Sequence, residues 1–188
     1  MNDINFFQTK DSIFLKKIKS KNELDNSDSC DGYFLKTSEK EARRIIDSLK
    51  GSGKIIALNG GDDSFNRRAI ETLKIDYLVS PEGGFKRDTL KQRDSGINHV
   101  VAKEAKKNGI SFVINLSEIR NLGKIEKSFR LERLIQNIKI CKRAKCSIKI
   151  ANFSEIKKNI VGEITIKSFG ISLGMSSEQS RESTNFKR

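Results

Sequence analysis

Five short apolar runs, GYFLKT (32–37), KIIALN (54–59), DYLVSP (76–81), ISFVINL (110–116) and SIKIAN (147–152), are each separated by a stretch with helical periodicity. Runs of about five apolar residues alternating with amphipathic helices are the pattern of a parallel sheet covered by helices, because only such strands are buried on both faces. Ser38 and Glu41 form a capping-box signature opening the helix EKEARRIIDSLK (39–50). In SFNRRAIETLK (64–74), Phe65, Ala69, Ile70 and Leu73 share one face. In NHVVAKEAKKNG (98–109), Val101, Ala102 and Ala105 point inward, Lys103, Lys106 and Lys107 point outward, and Gly109 stops the helix. The longest helix is expected over Ile125–Arg143, with Leu131, Leu134, Ile135 and Ile138 on one side and Arg133, Gln136 and Arg143 on the other. An open doubly wound sheet and a closed or nearly closed barrel fit this alternation equally.

The ends are less regular. Residues 3–8 read as a first strand, and the Lys-, Asn-, Asp- and Ser-rich stretch 10–31 as a helix followed by a loop. Residues 164–188 read as two short helices divided at Gly174, the second capped by Ser176 or Ser177. No linker divides the 188 residues, so one domain is expected over 1–188, with residues 162–188 supplying C-terminal helices.

Charge limits the class of partner. Lys and Arg total 37 against 24 acids, a net charge of +13, which favours polyanions. From Arg120 to Lys149 there are ten basic residues and two acids, Glu126 and Glu132, so this segment carries +8 of the +13. A solvated helix face normally interleaves both signs. No run approaches the roughly 18 apolar residues of a membrane span, and the N-terminus lacks the pattern of a signal peptide. Cys30, Cys141 and Cys146 are an odd number without zinc spacing, so reduced thiols and a cytoplasmic location are expected.

Catalytic patterns are missing. GSGK (51–54) lacks the upstream Gly and the following Ser or Thr of a phosphate loop, and it precedes a strand. GGDD (60–63) opens a helix, but two carboxylates would repel a phosphate, so Asp62 or Asp63 is expected as an N-cap. His99 is the single histidine and falls on the face carrying Lys103 and Lys106. One histidine cannot build a metal site, and no catalytic residues are expected. The only proline, Pro81, ends an apolar strand and is followed by two glycines and Lys86-Arg87-Asp88, which places a charged loop at a strand tip.

Several of these segments resemble the p30 family of ribonuclease P proteins, called protein component 3 in archaea. IDYLVSPEGGFKRDTLKQRDSGINHVVAKEAKKNGISFVINLSEI is similar to the family's central segment, a strand ending in Asp-x-Leu-x-x-Pro, a polar loop and a His-containing helix closed by Asn-Gly. ALNGGDDSFNRRAIETLKID resembles its Gly-Gly-Asp loop and Asn-Arg-Ala helix. RLERLIQNIKICKRAKCSIKIANFS and FGISLGMSSEQS are similar to its Arg-rich helix and strand and to its closing Leu-Gly-Met-Ser segment. The resemblance covers roughly residues 32–186, leaves 1–31 poorly assigned, and departs from the family at the end of the last strand, where Asn152, Phe153 and a short lysine-rich insert stand in place of a Ser-Gly-Ala end.

What the resemblance implies is a TIM-barrel-like (β/α) barrel, possibly incomplete, in a protein without catalytic residues, metal or cofactor of its own. The RNA subunit of ribonuclease P would remove the 5′ leader of precursor tRNA with Mg²⁺, and this chain would pair with protein component 2 to support that RNA. Lys86, Arg87, Arg93, His99, Lys103, Lys107, Arg130 and Arg133 are the candidate RNA contacts. A generic basic RNA-binding or ribosome-associated protein is the alternative. A metal-dependent phosphoesterase of the same barrel type is the remote one, since its site takes several His and Asp ligands.

Overall fold

A computed structural model describes residues 3–10, 12–24, 29–84, 88–89 and 93–186. Seven parallel strands run in chain order around a nearly closed barrel: β1 (Asp3–Asn5), β2 (Ser12–Ile18), β3 (Gly32–Leu35), β4 (Ile55–Asn59), β5 (Tyr77–Val79), β6 (Ser111–Asn115) and β7 (Ile148–Ala151). The helices α1 (Glu39–Ser48), α2 (Asp63–Thr72), α3 (His99–Lys107), α4 (Leu116–Asn121), α5 (Lys124–Ala144), α6 (Glu163–Ser172) and α7 (Ser177–Glu182) surround it. The period of two in each strand sorts its side chains. Along β4, Ile56 and Leu58 join the outer core with Ile45, Ile70, Ala105 and Ile138, while Ala57 joins the inner core with Leu15, Val79 and Val113.

The barrel fills its interior with rings. Phe6, Phe34 and Phe153 pack with centroids 5.4–5.5 Å apart. Elsewhere in the inner core, Phe186 is buried edge-on to Tyr77 at 5.6 Å. This leaves a packed core rather than a pore, as small parallel barrels require.

Most capping expectations hold. Asp62 Oδ1 accepts from Phe65 N–H at 2.7 Å, and Ser176 makes a full capping box with Gln179. At α1 only half of the box forms: Ser38 Oγ accepts from Glu41 N–H at 3.5 Å, but the Glu41 carboxylate accepts from Lys21 N–H instead, tying α1 to the 21–23 turn. Two expectations are corrected. The stretch 10–31 contains strand β2 rather than a helix: Ile13, Leu15 and Ile18 are buried, and the lysines at 16 and 17 had hidden the strand. After β6, the separate helix α4 precedes α5, capped by Asn115.

The seam between β1 and β7 is closed largely beyond the end of β7. Phe153 N–H donates to Ile4 O at 2.8 Å and Phe6 N–H to Ser154 O at 3.0 Å. Between these, Asp3 accepts from the Asn152 main chain at 3.0 Å and side chain at 2.7 Å, and Asn5 Oδ1 accepts from Ser154 N–H at 3.0 Å. Phe153 sits at φ 48°, so the chain bulges there and side-chain oxygens replace main-chain partners. Asn152, Phe153 and Ser154, just beyond β7, are therefore the residues that close the barrel.

Burial raises the Asp3 carboxyl above its ordinary value of 3.8, and the hydrogen bonds from Asn152 and Asn5 offset this only in part. A raised folded value means that Asp3's contribution to stability is fully present below about 3.8 and is lost as pH rises through the folded value. Wild type should therefore gain stability relative to Asp3→Asn as pH falls through that window. Urea titrations at several pH values measure the difference, and a pH-independent difference would contradict the burial of this carboxylate.

Candidate nucleic-acid interface

Pro81 follows β5 in a tight turn. Ser80 takes φ 50°, its N–H donates to Val113 O, and Gly83 N–H returns to Ser80 O at 2.9 Å. Gly60, after β4, lies so close that a Cβ there would stand 2.7 Å from Pro81 Cα, which explains a glycine in the Gly-Gly-Asp loop. Buried Asn66 of α2 receives Gly61 N–H at 2.9 Å and donates to Pro81 O and Gly96 O, both at 3.0 Å. One amide thus pins both ends of the loop that follows β5.

The arginines of α5 do the rest. Arg130 is buried, with Nη1 3.3 Å from Glu82 Oε1 and Nη2 paired to Glu118. Glu118 also accepts from Ser80 Oγ at 2.7 Å. A Cβ at Gly83 would come 2.5 Å from Arg130 Nη1, so the turn leaves room for the guanidinium. Arg133 pairs with Asp88 at 2.8 Å. Burial pushes Asp88 up, but hydrogen bonds from Arg133 and the Asp94 amide, with the charges of Arg133 and Arg93, outweigh it and hold the carboxyl below its ordinary value. Arg93 pairs with Glu132, lies 3.9 Å from Asp88 and stacks 5.2 Å from the Phe129 ring centroid.

These positions separate the expected RNA contacts into groups. Arg130 lies inside the rim rather than on its surface, held by two carboxylates that α4 and the Pro81 turn bring to it. Arg93 and Arg133 anchor the loop through ion pairs. Lys86 and Arg87 lie outside the described residues. His99 and Lys103 are exposed on α3, and Lys107 is exposed but 3.2 Å from Glu104.

Other cations were less visible in the sequence. Lys106, at the end of α3, and Lys142, Arg143 and Lys145, at the end of α5, are exposed and make no ion pair among the described residues. The two helix ends are neighbours. Cys141's hydrogen bond draws the Cys146 thiol below its ordinary value against burial, and the charge of Lys106 adds to the effect. Four basic side chains thus gather at the C-terminal ends of two packed helices, where they also complement the helix dipoles. The signal for them was the charge excess over 120–149, although that excess also includes the structural Arg130 and Arg133. Among the described residues, no group of three or more His, Cys, Asp or Glu side chains could hold a metal ion, and no helix is long and apolar enough to cross a membrane.

Removing one partner from a buried ion pair costs about 3–5 kcal/mol. Arg130→Ala should destabilise the protein by that order, because Glu82 would remain buried without its guanidinium. Urea unfolding checks this, and a loss below about 1 kcal/mol would mean that the pair behaves as an exposed one.

No family model matches the chain. Among curated relatives, ribonuclease P protein component 3 of Methanocaldococcus jannaschii is 28% identical over 139 residues, covering 73% of this chain and 57% of the relative. The protein of the same name from Thermococcus gammatolerans is 28% identical over 132 residues, covering 70% and 58%. The chain spans about half the length of the curated relatives it matches. A chain of a cryo-EM structure of archaeal ribonuclease P with mature tRNA superposes with a TM-score of 0.73 at 21% identity, over 97% of this chain and 87% of that one. An Aspergillus niger ochratoxinase (A. niger) gives a TM-score of 0.61 at 12% identity, over 82% and 38%. The likeness expected from the short motifs thus extends over most of the chain: in sequence it is similar to archaeal ribonuclease P protein component 3, and it shares its fold with a chain of an archaeal ribonuclease P.

Proposed function

We propose that this protein is a non-catalytic subunit of ribonuclease P, binding and supporting the catalytic RNA that removes the 5′ leader of precursor tRNA. The observation that carries this reading is the agreement of two likenesses, in sequence to component 3 proteins and in fold to a chain of an archaeal ribonuclease P. The net charge of +13 and Lys106, Lys142 and Lys145, which make no ion pair among the described residues at the ends of α3 and α5, suit an RNA partner. In this reading component 2 is the protein partner, the RNA subunit uses the Mg²⁺, and Lys86 and Arg87 are further phosphate contacts on the loop after β5. Neutralising phosphates lets the RNA fold compactly and hold its own Mg²⁺ at a lower bulk concentration.

Reconstitution tests it. The protein alone, with Mg²⁺ and precursor tRNA, should not cleave the leader. Adding the cognate catalytic RNA and component 2 should give cleavage at a lower Mg²⁺ requirement than the RNA shows alone. Site-specific cleavage by the protein without RNA, abolished by His99→Ala, would overturn the proposal.

Salt dependence gives a second test. Binding through about five phosphates should give a slope of log affinity against log salt on the order of −4. Replacing Lys106, Lys142 and Lys145 together with Ala should flatten it by about 0.9 per contact removed, while stability changes by no more than about 0.5 kcal/mol per site. An unchanged slope would remove the α3–α5 surface from the interface.

A further inference from the structure

The mouth of the barrel at the C-terminal ends of the strands opens into a cavity of about 310 Å³. Parallel barrels bind their ligands at this end, and the volume lies at the lower bound of small-ligand sites. The aromatic cluster of Phe6, Phe34 and Phe153 forms its floor. Lys17 crosses one side, paired to Glu155, with Nζ 4.0 Å from the Phe6 ring centroid. A second carboxylate of the lining, Glu118, is already met by Arg130 and Ser80. Glu23 accepts from Lys19 N–H and Ser20 Oγ at the outer edge.

Two asparagines give the cavity its chemistry. Asn115 Oδ1 accepts from Glu118 N–H at 3.0 Å as the cap of α4, which fixes the amide orientation. Its Nδ2 makes no hydrogen bond among the described residues, yet it is not a sealed unsatisfied atom although the residue is buried, so it is open to the mouth. Asn59 Nδ2 donates to Gly60 O at 3.0 Å, and its Oδ1, which lines the same cavity, accepts no hydrogen bond among the described residues. Above them, Lys36 is exposed and makes no ion pair among the described residues. An apolar floor, one free amide donor, one free amide acceptor and an unpaired cation at the rim together match one class of ligand. A nucleobase presents an apolar face and an edge with donors and acceptors, and its phosphate meets the ammonium.

We propose that the barrel mouth binds a single nucleotide unit, its base over the phenylalanine floor with its edge toward Asn59 and Asn115, and its phosphate at Lys36. The proposal is argued from the cavity alone and does not rest on the ribonuclease P reading. The unit comes either from an unpaired nucleotide of an RNA strand or from a free mononucleotide.

The test is titration of ¹⁵N-labelled protein with adenosine monophosphate, inorganic phosphate or an unstructured oligoadenylate, following the side-chain NH₂ signals of Asn59 and Asn115. Adenosine monophosphate should shift both signals, with a dissociation constant on the order of 1 mM. Asn115→Asp keeps the oxygen that caps α4 but removes the donor, and Lys36→Ala changes an exposed side chain. Each should weaken binding by about fivefold or more. Shifts at tighter affinity with the oligoadenylate identify RNA as the source, while shifts with the mononucleotide alone identify a free nucleotide. Equal shifts with inorganic phosphate alone, or unmoved Asn59 and Asn115 signals at 10-fold the expected dissociation constant, about 10 mM, would overturn the proposal.

Discussion

Arg130 holds the top of this barrel together. Its guanidinium joins Glu82 in the turn after β5 to Glu118 on α4 after β6, and it does so from the middle of α5. Three segments that follow two neighbouring strands are therefore fixed by one buried cation. An isolated charge at such depth would be strongly unfavourable, so the geometry requires both carboxylates to arrive with it. Ser80, Gly83 and Asn66 then make sense as the parts that shape the turn around that pair. The same arrangement neutralises Glu118 at the edge of the mouth, which leaves the cavity's polar character to Asn59 and Asn115.

Similar barrels carry different chemistry, and fold alone does not identify it. Solved structures titled amidohydrolase and ochratoxinase share this architecture at 13% and 12% identity. In this chain the C-terminal mouth presents amides, lysines and phenylalanines; of its carboxylates, Glu118 pairs with Arg130, Glu155 with Lys17, and Glu23 accepts from Lys19 N–H and Ser20 Oγ. Such a lining suits recognition of a nucleotide better than proton transfer. Further cations without an ion pair among the described residues lie at the C-terminal ends of α3 and α5. The division between a polar mouth and a basic outer helical layer separates recognition by shape and hydrogen bonding from recognition by charge.

Much of the fold was legible because the strands from β3 onward are short apolar runs, each bounded by a cap or a turn residue. Asp62, Asn98 and Ser176 mark helix starts in the sequence and cap them in the structure. β2 was illegible because Lys16 and Lys17 interrupt its alternation and the stretch around it is rich in Lys, Asn, Asp and Ser. The interface was legible only in bulk. Net charge over 120–149 cannot distinguish Arg130, whose partners come from 48 residues earlier and 12 residues earlier in the chain, from Lys142, which has none among the described residues. Long-range pairing decides which cations are free, and a linear pattern carries little of that information. The mouth was hidden for the same reason, since Asn59 and Asn115 come together only when β4 and β6 take their places in the barrel.

The central claim is that Arg130 and Arg133 of α5 build the scaffold while the exposed lysines of α3 and of the C-terminal end of α5 meet the RNA. Amine-reactive footprinting of the protein, free and bound to its cognate catalytic RNA, tests this most directly, with modification at each lysine read by mass spectrometry. The account predicts protection of Lys103, Lys106, Lys142 and Lys145 on RNA binding, with Lys40 and Lys50 around α1 as reactive as in the free protein. Protection confined to Lys40 and Lys50, with the α3 and α5 lysines unchanged, would contradict it.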